Sequence, residues 1–307
     1  MRKGETVVDP TARQDADEPR RQEDAYNTRV VEVHRIHASL QIIRVRPDVP
    51  FPPFSAGQYT MLGVGEWEPG PAPATRPADR DGLLRGPYSI SSPILDQTGE
   101  ALLDPADETA LEFYIANDRG ALASRLFSLR PGRRLWLAAG ATGQFTLDGI
   151  DREDDLLFLA TGTGEAPHNR MIWDLLRRGH GGHIASVVCC RHRVDLGYRR
   201  VHETLARLCP RYTYIPWTTR EGPWPRRHVQ ELLLDGTLAR QAGFALDPAT
   251  TCVFLCGNPA FIGRPIQAGS RRVYPEPPGI IEILETRFDF PAAGDDPAHD
   301  RIRFERY

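Results

Sequence analysis

Residues 156–160 read Leu-Leu-Phe-Leu-Ala, and Thr161-Gly162-Thr163-Gly164-Glu165-Ala166-Pro167 follow at once. Five apolar residues without alternation predict a strand buried on both faces, the kind found in a parallel sheet covered by helices. The glycine turn then hands the chain to a helix. Pro167 suits the first helical turn, Met171, Ile172, Leu175 and Leu176 share one face, and Gly179 can end it. The pattern repeats downstream. Strands are predicted at Ile184–Cys189, Tyr212–Ile215 and Cys252–Cys256, and helices around Val201–Leu208, His228–Leu234 and Ile280–Glu285. Strands alternating with helices give a parallel sheet, so residues 151–307 are expected to be an α/β parallel-sheet domain.

The half before this is built differently. Residues 1–26 are polar and charged, with few apolar positions, and are expected to form a disordered tail. Residues 27–150 carry short β-branched and aromatic runs. They lie around Val30–Val33, Leu40–Val45, Gln58–Val64, Tyr88–Ser92, Leu111–Ile115 and Leu135–Leu137, with a short helix at Leu122–Leu129. A proline-rich stretch, 66–84, reads as a long loop. Six short strands with one helix suggest a barrel or a sandwich. The expectation is therefore a two-domain chain, a β-rich half followed by an α/β parallel-sheet half.

Composition narrows the function classes. The 307 residues carry a net charge of −3, which argues against nucleic acid as the main partner. No run of 18 apolar residues exists, so no membrane span is expected, and the polar N-terminus does not read as a signal peptide. The five cysteines (189, 190, 209, 252 and 256) show neither disulfide-ladder nor C-x-x-C spacing. The expected metal content is none, and the expected compartment is the cytoplasm.

Three segments carry candidate chemistry. Gly162 and Gly164 let a backbone approach a ligand closely, and the following helix start offers N–H groups and a positive dipole end to an anion. Cys256-Gly257-Asn258-Pro259 closes a later buried strand. Both loops would open at the same edge of one sheet, where open α/β sheets bind ligands. In the barrel half, Arg85-Gly86-Pro87-Tyr88-Ser89-Ile90-Ser91-Ser92 could line a flat, polar aromatic ligand. Taken singly, each also reads as a tight turn, a core cysteine or an outward-facing polar strand. His168 and Asn169 read as turn-facing polar residues.

Together, in this order and spacing, these segments resemble the ferredoxin–NADP⁺ reductase family over residues 28–307. Tyr88-Ser89 echoes its R-x-Y-S flavin motif, Gly162–Pro167 its G-T-G-x-A-P loop, and Cys256–Pro259 its C-G-N-P loop. Gly57-Gln58-Tyr59 is similar to its G-Q-[FY] strand, and Gly120–Leu126 to the segment facing the FAD pyrophosphate. The resemblance implies an antiparallel β-barrel that binds FAD, followed by a parallel α/β domain that binds NADP, with ferredoxin or flavodoxin as transient electron partner. It implies that Ser89 sits near the flavin and Cys256 beside the nicotinamide. Glu305 would serve proton or partner exchange, and the terminal Tyr307 would stack on the flavin ring. Further flavin contacts are implied for Tyr88, Ile90, Tyr114, Ile115 and Ala116, and for Ala121, Leu122 and Ala123. Nucleotide contacts are implied for Thr161, Gly162, Thr163, Gly164, Gly257, Asn258 and Pro259. Arg191, Arg220 and Arg227 would clasp a 2′-phosphate.

One residue departs from the pattern. The arginine of R-x-Y-S stands two places before Tyr, where this chain has Gly86, and Arg85 is one earlier. A bulge at Gly86 is expected, which would turn Arg85 toward the FAD phosphate. Two other readings stay open: a reductase component for an oxygenase or free flavin, and a nucleotide-binding regulator that has lost FAD.

Overall fold

The computed structural model describes residues 25–70, 82–95, 102–103, 109–221, 226–269, 271–294 and 300–306. The first sheet has six antiparallel strands: β1 (Thr28–His37), β2 (Leu40–Pro47), β3 (Tyr59–Gly65), β4 (Leu83–Ser89), β5 (Leu111–Ala116) and β6 (Arg134–Leu137), in the order β4-β3-β6-β1-β2-β5. A bridge between Ser91, just past β4, and Glu112 in β5 joins the two ends and closes the barrel. Val30, Ile43, Val45, Leu62, Val64, Phe113, Leu135 and Leu137 fill its interior. Helix α1 (Ala121–Ser128) plugs one end with Leu126 and Phe127.

β4 starts five residues before the Tyr88 expected from sequence. Leu83 and Leu84 lie opposite Gly65 and Val64 and are buried, so the strand reaches into the stretch that proline density assigned to a loop. Tyr26, placed in the expected tail, is also buried. Its hydroxyl accepts the Gly65 N–H at 2.7 Å and donates to Glu68. Of that tail, residues 1–24 lie outside the described residues.

The second sheet is parallel. It comprises β7 (Asp155–Thr161), β8 (Ile184–Cys190), β9 (Tyr212–Thr218), β10 (Thr251–Gly257) and β13 (Ile302–Arg306), in the order β13-β10-β7-β8-β9. The hairpin β11 (Ile266–Ala268) and β12 (Arg271–Val273) stands apart from it. Its helices are α2 (Glu165–Arg177), α3 (Arg199–Leu208), α4 (Val229–Leu234), α5 (Thr237–Ala242), α6 (Pro259–Ile262) and α7 (Ile280–Arg287). Two apolar clusters cover the sheet. One packs Leu157, Leu159, Val253 and Leu255 against α4 and α7, the other packs Phe158 and Phe254 against Met171 and Ile172 of α2. Since β7 neighbours both β8 and β10, the order of strand addition reverses at β7, and the crevice for a ligand opens there. Among the described residues no helix is long and apolar enough to cross a membrane.

Candidate active site

The β7 and β10 loops meet at that switch point. The Asn258 N–H donates to Thr161 Oγ1 at 3.0 Å. A Cβ on Gly164 would fall 2.2 Å from the Cys256 carbonyl oxygen, and one on Gly257 would fall 2.1 Å from Thr161 Oγ1. Only glycine allows two loops to nest this closely. Gly162 adds a left-handed conformation, φ 52°. The Asn258 side chain accepts the Phe261 N–H at 2.8 Å and Pro259 opens α6, so this loop is rigidly capped. The result is a cradle of backbone N–H groups at the start of α2.

A cleft of about 1090 Å³ runs from this cradle along the carboxyl edge of the sheet. Thr161, Gly162, Thr163 and Asn258 line it together with Arg191, Arg220, Arg226 and His228. Ala116 contributes from the barrel. Arg227, the third expected clasp residue, is directed elsewhere. Its guanidinium pairs with the Asp235 carboxylate, and its carbonyl accepts the Trp217 indole N–H at 2.8 Å. Neighbouring Arg226 lines the cleft, a choice between adjacent arginines that sequence cannot reveal.

On the barrel side, Tyr88 and Ser89 end β4 half-buried. The Ser89 hydroxyl donates to Glu305 at 3.3 Å across the domain boundary. Parallel pairing of β10 with β13 sets Glu305 beside Cys256. Burial raises the Glu305 carboxyl to about 7, against a smaller lowering from the Ser89 hydroxyl. Burial, reinforced by Glu305, pushes the Cys256 thiol well above its ordinary range, which keeps it neutral. Ser89, Cys256 and Glu305, from three distant segments, thus share one seam. Tyr307 lies outside the described residues.

The bulge expected at Gly86 is absent. β3 and β4 pair residue for residue from Tyr59↔Ser89 to Gly65↔Leu83. On an unbroken strand Arg85 and Gly86 face opposite sides. Arg85 stacks its guanidinium on Trp136, 4.3 Å from the ring centre, while Gly86 faces Leu122. Arg85 therefore does not replace the missing arginine. The face it leaves is bounded by the first turn of α1, with Ala121, Leu122 and Ala123. The cap residue of this helix, Gly120, donates its N–H to the Asp118 carboxylate at 2.8 Å, and the first turn itself holds no acidic residue. Arg125, one turn on, is spent on the carbonyls of Glu66, Glu68 and Ala121.

Other expected contacts change role. Ile90 and Ile115 are fully buried in the barrel core, which leaves only their backbone to a ligand. The Tyr114 hydroxyl donates to the Asp195 carbonyl and accepts the Gly197 N–H, so it joins the domains. His168 and Asn169 do not face the turn. His168 is buried near Phe145 and Phe158, and burial, with His202 nearby, lowers its imidazole to about 3. The Asn169 amide donates to Ser91 Oγ and the Ser92 carbonyl, both at 2.9 Å. Tyr198 extends this seam: its hydroxyl donates to the buried Glu112, which Arg44 pairs at 2.8 Å, and accepts from the Ser91 hydroxyl. None of this seam was foreseen, because its members are scattered polar residues without a motif. Among the described residues no cluster of three or more His, Cys, Asp or Glu is placed to hold a metal.

Residues 158–264 match the family described as "Oxidoreductase NAD-binding domain". The chain is 37% identical over 214 residues to ferredoxin–NADP reductase B of Sorangium cellulosum, covering 66% of this chain and 74% of that one. The chain belongs to the ferredoxin–NADP reductase family. Another relative within the family is the flavodoxin/ferredoxin–NADP reductase of Escherichia coli, 27% identical over 221 residues, or 69% of this chain and 77% of that one. A ferredoxin NADP⁺ reductase from Neisseria gonorrhoeae, solved with bound FAD and NADP, shares the reductase fold. It superposes with a TM-score of 0.67 at 17% identity, covering 91% of this chain and 97% of that one.

Proposed function

We propose that this chain is an oxidoreductase that uses FAD to move electrons between NADPH and a one-electron carrier, ferredoxin or flavodoxin, met transiently. The observation that carries the reading is the seam of Ser89, Cys256 and Glu305 beside the glycine cradle. The residues present fit both cofactors. The cradle at Gly162, Gly164 and Gly257 is shaped for a pyrophosphate, and Arg191, Arg220 and Arg226 suit a 2′-phosphate by bidentate bonding. Tyr88, Ser89 and the open first turn of α1 would hold FAD, its pyrophosphate resting on backbone N–H groups in place of an arginine.

When bound, FAD would supply hydride exchange with the nucleotide and single-electron exchange with the carrier. The chain supplies position and protons. Cys256, buried and neutral, offers a small, soft wall against which a nicotinamide can lie. Glu305 holds or releases a proton near neutral pH, and Ser89, bonded to it, gives that proton a route toward the barrel face. Five unpaired thiols suit a reducing cytoplasm. The reading is tested by the visible spectrum of the purified protein and its anaerobic titration with NADPH and NADH. A flavin spectrum bleached preferentially by NADPH, with electrons passed on to a ferredoxin or flavodoxin, is the expected result. A colourless protein that takes up no FAD would refute it.

A further inference from the structure

The loops after β8 and β9 carry Arg191 and Arg220, and they are bonded to each other step by step. The Thr219 N–H donates to the Cys190 carbonyl and the Arg220 N–H to the Arg191 carbonyl, both at 3.0 Å. Glu221 closes the ladder. One of its carboxylate oxygens accepts the Arg193 N–H at 2.7 Å, and the other lies 3.4 Å from His192 Nδ1. The first loop is braced in turn, since the His192 N–H donates to Asp195, whose carboxylate meets His37 of the barrel at 3.1 Å. Arg191 and Arg220 line the cleft, and Glu221 does not.

A carboxylate next to Arg220 could act in two opposite ways. Turned inward, it would repel an anion in the cleft and draw off the arginine. Turned outward and bonded to the neighbouring loop, it fixes the spacing of two guanidinium groups that must meet one phosphate together. Side chains fixed before binding lose less entropy when the ligand arrives. We propose that Glu221 is a positioning residue for nucleotide selection. It ties the two arginine loops into a frame for a nucleotide 2′-phosphate and keeps its own charge out of the pocket. This rests on the NADPH reading above. The bond from the Arg193 N–H carries the role, because it is short and charge-assisted. His192 contributes little, since both partners of that pair are over two-fifths exposed.

Calorimetric binding of 2′-phospho-AMP and of 5′-AMP to the flavin-loaded full chain tests this. Glu221→Ala is expected to weaken 2′-phospho-AMP about tenfold and 5′-AMP by less than about twofold. Glu221→Gln, which keeps an acceptor for the Arg193 N–H, and His192→Ala should both stay within about threefold of the parent. Equal losses for both ligands in Glu221→Ala would mean general collapse of the loop and overturn the proposal, as would unchanged discrimination. A parent that binds the two ligands alike removes the 2′-phosphate reading itself, and this role with it. A discriminating parent with an equally discriminating Glu221→Ala variant removes only the role of Glu221.

Discussion

The nucleotide half and the flavin half of this molecule build their anion sites by different means. At the mouth of the parallel sheet the site is made of backbone. Gly162, Gly164 and Gly257 bring two loops into contact, and no long side chain is needed at the cradle. In the barrel the family pattern depends on one arginine at one strand position, and here that position is Gly86. Backbone sites depend on close approach, so a sequence motif transfers to geometry almost unchanged. Side-chain sites depend on strand register, and a shift of one residue reverses the face.

The sharpest way to break this comparison is to fill the backbone cradle. Gly164→Val places new carbons against the Cys256 carbonyl, where nothing can yield cheaply. Reduction of the flavin by NADPH should fall by on the order of 100-fold, since misplacement by ~1 Å costs about that much. FAD content should be retained. Stopped-flow reduction, with the flavin quantified, checks both outcomes.

Next come the arginines of the cleft. Arg226→Ala should weaken NADPH binding about tenfold or more and leave NADH little changed, by loss of a charged hydrogen bond. Arg227→Ala should change neither, because its guanidinium serves Asp235. Steady-state kinetics with both nucleotides separates the pair. A reversed result would mean that the cleft rearranges on binding.

The barrel half can be sharpened by restoring what it lacks. Gly86→Arg brings a Cβ within 2.6 Å of the Leu122 Cδ2, the movable end of a side chain, and directs a cation toward the first turn of α1. FAD affinity should rise by roughly 1.5–3 kcal/mol, the worth of a charged hydrogen bond. Arg85→Ala should leave FAD affinity unchanged and cost about 0.5–1 kcal/mol of stability through the lost contact with Trp136. Flavin retention on dialysis and thermal melts read the two effects.

The smallest effect lies at the seam between the halves. The folded chain holds the Glu305 proton up to about pH 7, whereas an unfolded chain releases it in the ordinary carboxylate range. Stability from this group is present in acid and is lost as pH rises through 7. Glu305→Gln should therefore gain stability relative to the parent between pH 5 and 8, and the pH dependence of electron transfer near 7 should flatten. Melting temperatures of both proteins across this range give the answer, and parallel curves would contradict it.

The sequence by itself determined the two-part architecture and the backbone of the nucleotide site. Leu156–Ala160 and Cys252–Cys256 are apolar without alternation, and only a doubly covered sheet accommodates that. Their glycine-bearing ends follow directly from the chain, because a loop joins its own strand wherever the strand goes. Tertiary structure alone decided the rest. It set Glu305 beside Cys256, because β13 pairs with β10, and it bonded Glu305 to Ser89 from 216 residues away. It put Arg226 on the cleft wall and paired Arg227 with Asp235, turned Arg85 onto Trp136, and buried His168 and Asn169. Each of these is a matter of which way a side chain points. Periodicity specifies a face only within one element, and the neighbour that the face meets is fixed by how distant segments pack.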